Sequence, residues 1–131
     1  MDNMIRFLLS GVTFAVLDFL WLGLLMPAFY RRNLAHLARM DGESLAPIWP
    51  VAALVYPVLA LGITVFVVNR ARTPLEALAY GALFGLVSYG LYDLTNHATL
   101  RDWPAVLTLV DMTWGVVICG TTAWIVASLT K

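Results

Sequence analysis

The stretch Leu78–Leu100, LAYGALFGLVSYGLYDLTNHATL, decides the class of this fold. It runs for 23 residues with one formally charged side chain, Asp93. A helix needs about 20 mostly apolar residues to cross a hydrocarbon core of roughly 30 Å, so this segment reads as a membrane span. Three further stretches have the same character: about Phe7 to Met26, Ile48 to Val68 and Ala105 to Ala127. Breakers bound them. Pro47 and Pro50 open the second span, Thr73-Pro74 precedes the third, and Asp102-Trp103-Pro104 precedes the fourth. The first segment carries Asp18 inside its apolar run and lacks a small-x-small cleavage site, so it reads as a helix rather than a removed leader.

The composition agrees. Of 131 residues, 61% are hydrophobic and 12% charged, against roughly 45–50% and about 25% in soluble domains. A water-soluble fold of this size could not hide that much apolar surface. The expectation is an all-α, single-domain bundle of four transmembrane helices with both termini on one side. Its immediate partner is the lipid bilayer. Eight basic and eight acidic residues cancel to zero, which leaves no footprint for nucleic acid. Cys119 is the single cysteine, so an intrachain disulfide is excluded.

The larger loop, Pro27 to Pro47, holds Arg31, Arg32, His36, Arg39, Asp41 and Glu43, and Asn33 to Arg39 reads as a short interfacial helix. Phe29, Tyr30, Trp49 and Trp103 sit near span ends, where aromatic anchors collect. Arg6, Arg70, Arg72 and Lys131 fall on the side of the termini, and Arg31, Arg32, Arg39 and Arg101 on the other. Four against four sets no preferred orientation.

Three aspartates lie inside spans: Asp18, Asp93 and Asp111. Each costs roughly 2.5–3.5 kcal/mol at a helix centre, so they must face the bundle interior and find partners. Counted from the span ends at 1.5 Å per residue, Asp18, Tyr56, Asp93 and Asp111 all fall roughly 9–12 Å below one membrane face. Every helix therefore contributes a polar group to one layer. In the third helix Tyr89, Tyr92, Asp93, Asn96 and His97 share a face, extended by Gly81 and Gly85, which permit close helix approach. Asp18 shares a face with Phe14 and Trp21, and Asp111 with Thr108, Trp114 and Gly115.

These positions imply an off-centre polar pocket lined with aromatics, opening toward the loops that hold Arg31 and Arg101. Its candidate proton- or ligand-binding residues are Asp18, Tyr56, Tyr92, Asp93, Asn96, Asp111 and Trp114, with Trp21, Tyr89 and His97 secondary. The bland reading of each is interhelical hydrogen bonding or packing. On that reading His97 is a hydrogen-bond partner near the interface, His36 a solvated loop residue and Cys119 a small core filler. The Asp-x-x-Trp echo, Asp18–Trp21 and Asp111–Trp114, has nothing else matching around it and reads as coincidence.

Catalytic triads, nucleotide loops and zincin motifs are absent, so no catalytic residue is assigned and no cofactor is implied. Carboxylates with an Asn and a His are chemically able to hold a hard cation. The set matches no metal motif, however, and no Glu-x-x-His pair occurs in a span.

The string Tyr89-Gly90-Leu91-Tyr92-Asp93-Leu94-Thr95-Asn96-His97-Ala98-Thr99-Leu100-Arg101-Asp102-Trp103-Pro104, followed by Asp111-Met112-Thr113-Trp114-Gly115, resembles the DUF2177 family of small membrane proteins. Leu17-Asp18-Phe19-Leu20-Trp21-Leu22-Gly23 and Tyr56-Pro57 are similar to that family too. The resemblance implies a bacterial inner-membrane protein of four helices, without an established activity, and an association with lipid-modifying genes. The family's motif residues coincide with the polar layer.

Two functional expectations follow. One is a transporter-like or ligand-binding protein whose acids take a proton, a cation or the polar end of a hydrophobic small molecule or lipid, with a homodimer needed to enclose a path. The other is a non-catalytic accessory subunit or assembly factor of a larger membrane complex, or a protein associated with lipid modification, whose polar layer locks the bundle.

Overall fold

The computed structural model describes residues 2–131. Its first helix, α1 (Asn3–Phe19), continues without a break into π-helical turns over Leu20–Leu25. A short α2 (Pro27–Leu34) and a small hairpin of β1 (Met40–Asp41) and β2 (Ser44–Leu45) follow. Next come α3 (Trp49–Gly62), continued by π-helical Ile63–Val68, then α4 (Pro74–Thr99) and α5 (Ala105–Thr130). Four of these stretches are long and apolar enough to cross a membrane: Asn3–Leu25, Trp49–Val68, Pro74–Thr99 and Ala105–Thr130. They match the four expected spans to within a turn or so.

Local chemistry sets the boundaries. Thr73 caps α4 by accepting from the Glu76 N–H at 3.1 Å, with Pro74 in the first turn. Pro27 starts α2 directly after Met26, whose N–H closes an i→i+5 bond to the Trp21 carbonyl. The loop helix therefore begins at Pro27 and ends near Leu34, earlier than the expected Asn33–Arg39, because proline at the first position presets the helical φ. Past it, Gly42 takes φ +61° to turn the hairpin.

Packing divides the bundle into two ends. At the end bearing the termini, Phe14, Ile63, Val67, Ile118, Cys119 and Val126 form a dry core. Arg6 ties that end together, donating to Asn69 Oδ1 at 2.8 Å and to Thr130 Oγ1 at 3.2 Å. The α4–α5 hairpin is the most extensive helix contact, and small residues make it so. A Cβ at Gly81 would stand 2.6 Å from the Cys119 carbonyl oxygen, and one at Gly85 would collide with the Gly115 carbonyl. The close approach expected of these glycines is what the bundle uses.

At the loop end the ring of helices is incomplete. Substantial packing joins α4 to α5, α5 to α1 and α1 to α3, but α3 reaches α4 and α5 mainly through its π-helical end, Ile63–Val68. A wedge is left between α3 and α4. Over it sits a second cluster in which Tyr30, Trp103 and Leu107 are buried beside Trp21, Phe29 and Leu34. Tyr30 and Trp103 are thus not interfacial anchors as expected. Folding α2 back over the bundle end covers both, whereas Trp49 is 69% exposed as an anchor should be. Around the outside, Val12, Val16, Val58, Phe66, Leu83 and Leu109 are exposed, the apolar surface that lipid requires.

Candidate functional site

The wedge is a cavity of about 710 Å³. Asp18, Tyr56, Tyr89, Tyr92, Asp93, Asp111 and Trp114 all line it, so the polar layer read from residue counting converges in three dimensions. Apolar walls come from Phe19, Leu22, Ala52 and Leu107, and Arg31 of α2 stands in the lining as well. The volume lies within the roughly 300–1,000 Å³ usual for small-molecule sites.

The three aspartates are treated differently. Asp18 accepts from Tyr56 Oη at 2.8 Å and from Trp114 Nε1 at 3.3 Å, so α1 is bonded to both α3 and α5. Asp111 accepts at Oδ1 from Tyr30 Oη at 2.7 Å, and Tyr30 Oη in turn accepts from Trp21 Nε1 at 2.9 Å. Asp93 is fully buried, yet neither of its carboxyl oxygens meets a donor among the described residues. Its carboxyl neighbours that of Asp111. Two carboxylates have no proton to give each other, so such a pair is settled by a shared proton or by a donor brought in from outside.

Between the two bonded acids stand the indoles of Trp21 and Trp114, stacked at 4.4 Å with planes 6° apart. Each sits three residues after an aspartate, on helices that run in opposite directions. The bonding is crossed: Trp114 of α5 donates to the α1 acid, and Trp21, in the π-helical continuation of α1, reaches the α5 acid through Tyr30. The two Asp-x-x-Trp segments therefore meet in one stacked and hydrogen-bonded unit.

Three expected residues, Asn96, His97 and Trp21, stand off the cavity. Asn96 lies beside Tyr92, outside the lining. His97 is exposed and pairs through Nδ1 with Thr108 Oγ1 at 3.2 Å, which also accepts from Trp103 Nε1 at 3.0 Å, the bland role expected of this histidine. Trp21 supports the site through its stack and the Tyr30 bond without lining the cavity. Cys119 is buried in the dry core. His36 is exposed as expected, and its Nε2 pairs with the Asp102 backbone carbonyl at 2.7 Å, pinning the α2 region to the α4–α5 loop.

Tyr30 is the residue that sequence reasoning missed. Burial, together with the Asp111 carboxylate beside it, pushes its phenol above the usual tyrosine range. Pro27 marks the start of the helix that carries it, but nothing local in the sequence signals that this helix folds back over the bundle. Among the described residues no three His, Cys, Asp or Glu side chains gather in a group able to hold a metal ion.

No curated protein and no solved structure matches the chain. A family model described as a predicted membrane protein matches residues 3–128, nearly its whole length. With that match over nearly the whole chain and four helices long and apolar enough to cross a membrane, the chain belongs to the DUF2177 family of membrane proteins.

Proposed function

We propose that this chain is a single-domain ligand-binding protein of the bacterial inner membrane, whose cavity takes the polar end of a hydrophobic molecule. The observation that carries the reading is Asp93, with both carboxyl oxygens buried and unmet in the lining of a 710 Å³ cavity. A buried, unsatisfied carboxyl costs stability, so its position in the lining of a cavity favours a donor supplied by a ligand. The apolar walls suit a tail, and the gap between α3 and α4 offers the tail a way out to lipid. The bacterial inner-membrane location rests on the sequence resemblance. A transporting form would require a second copy to enclose a path, whereas binding needs one.

A specific observation favours the accessory-subunit reading for part of the layer. Asp18 and Asp111 already accept hydrogen bonds from neighbouring elements, which locks α1, α2, α3 and α5 together. On this view two acids are structural and one is reserved.

The test is thermal unfolding of the detergent-solubilised full chain with and without 1-monododecanoylglycerol or dodecylamine, both donor-headed. A ligand that binds only the folded state raises Tm. Wild type gains a concentration-dependent rise that Asp93→Leu lacks. Equal responses in the two proteins would count against the cavity reading and for a purely structural layer.

A further inference from the structure

The two ends of the cavity differ in charge, and the difference narrows the ligand; this step rests on the ligand-binding reading above. Asp93 stands in the lining with both carboxyl oxygens buried and without donors among the described residues, and Asp111 stands beside it with one oxygen occupied by Tyr30. Among the described residues the single cationic side chain in the lining is Arg31, exposed, on the last turn of α2 at the loop end. Acids at depth with a guanidinium at the rim form a site that a dipolar head matches, positive group inward and negative group outward.

We propose that the ligand is a zwitterionic lipid with a phosphoethanolamine head, its primary ammonium at Asp93 and Asp111 and its phosphate against Arg31. The acceptors choose the ammonium. Two carboxyls side by side repel as anions, and a cation between them relieves this. A primary ammonium carries three N–H donors for oxygens that have none, whereas a quaternary ammonium carries no donor and a hydroxyl carries one. The rim chooses the phosphate, because the guanidinium fork fits its oxygens in paired hydrogen bonds. The surroundings choose a lipid over a soluble amine. Phe19, Leu22 and Trp49 give apolar contact at the lining, and the wedge between α3 and α4 lets acyl chains lie toward the bilayer.

The experiment compares lysophosphatidylethanolamine, lysophosphatidylglycerol and lysophosphatidylcholine of one chain length, with dodecylamine alongside. Binding to the detergent-solubilised full chain is read by native mass spectrometry and by tryptophan emission. The ethanolamine head should bind about tenfold tighter than the other two phospholipids, the effect of one charged hydrogen-bonded contact. Asp93→Asn should erase that preference. Arg31→Gln should weaken the ethanolamine lipid about tenfold and leave dodecylamine unchanged. Asp93→Asn keeps the size of the side chain and an amide that can still pair with Asp111, and Arg31 is exposed, so matched melts of the two variants against wild type confirm that the fold is kept. Equal affinity for all three heads, with Asp93→Asn weakening all of them, overturns the zwitterion and spares the cavity reading. A choline head binding as tightly as ethanolamine overturns the primary ammonium. No binding of any probe, or binding indifferent to Asp93→Asn, overturns the cavity reading itself.

Discussion

Trp21 and Trp114 stack face to face across α1 and α5, 4.4 Å between centroids, and each indole N–H serves the acid network of the opposite helix. Buried Asp18, Asp111 and Tyr30, each costly alone, are thereby held with half-buried Tyr56 in one network. The stack marks the boundary between what the polar layer does for the fold and what it holds in reserve. Asp18, Asp111, Tyr30 and Tyr56 are engaged in the lattice around it. Asp93, in the same cavity lining, is not.

Stability should separate the acids. Asp18→Ala strands the Tyr56 hydroxyl and the Trp114 N–H, and an unmet buried donor costs about 1–3 kcal/mol. Tm should fall by several degrees in thermal melts of the solubilised protein. A melt unchanged from wild type would show that these bonds add nothing to the fold.

Asp93→Leu should act in the opposite direction. It removes a buried carboxyl that has no donor and puts apolar volume at the edge of a cavity. The expected gain is about 1–2 kcal/mol in the ligand-free protein. The same melts check it, and a large loss of Tm would mean that Asp93 has a structural role the hydrogen bonds do not reveal.

Tyr30 gives the account a pH signature. Its folded-state phenol is held above the ordinary value of about 10, so at pH above that value the unfolded chain releases the proton while the folded one keeps it. Tyr30's contribution is intact below pH 10 and declines as pH rises beyond it. Tyr30→Phe should lower Tm at pH 7, through loss of the Trp21 and Asp111 bonds, and flatten the decline between pH 10 and 11. Chemical denaturation at both pH values measures the slope, and an equal slope in the two proteins would rule Tyr30 out as its source.

The helix seam should be intolerant of bulk. At Gly81 and Gly85 an added Cβ meets the opposing backbone, which has no rotamer by which to move aside. Gly85→Ala should cost about 1–3 kcal/mol, the range seen for overpacking, and Gly85→Leu should prevent recovery of folded protein. Size-exclusion profiles of the solubilised variants report this directly. A monodisperse, fully stable Gly85→Leu protein is incompatible with the seam described.

Much of this was legible in the sequence because lipid imposes a simple rule. Spans must be long and apolar, so Asp18, Asp93 and Asp111 stood out, and counting residues from the span ends put them at one level. Helical spacing also placed Gly81 and Gly85 on the face that α5 approaches. Tyr30 was hidden because its position depends on α2 folding back, and proximity to Arg31 and Arg32 made it look interfacial. The difference between Asp93 and Asp18 was not readable at all. Both are aspartates in mid-span, and only the approach of Tyr56 and Trp114 to one of them distinguishes their chemistry. Asn96 shares the helix face of Asp93, but the cavity does not extend to it.

The most direct test of the central claim, that Asp93 is kept unpartnered for an incoming donor, is a titration with dodecylamine followed by native mass spectrometry. Wild type and Asp93→Asn are compared at matched folded concentration. The account predicts a saturable one-to-one complex with wild type and an affinity at least about tenfold lower for Asp93→Asn. Superimposable binding curves from two equally folded proteins would contradict it.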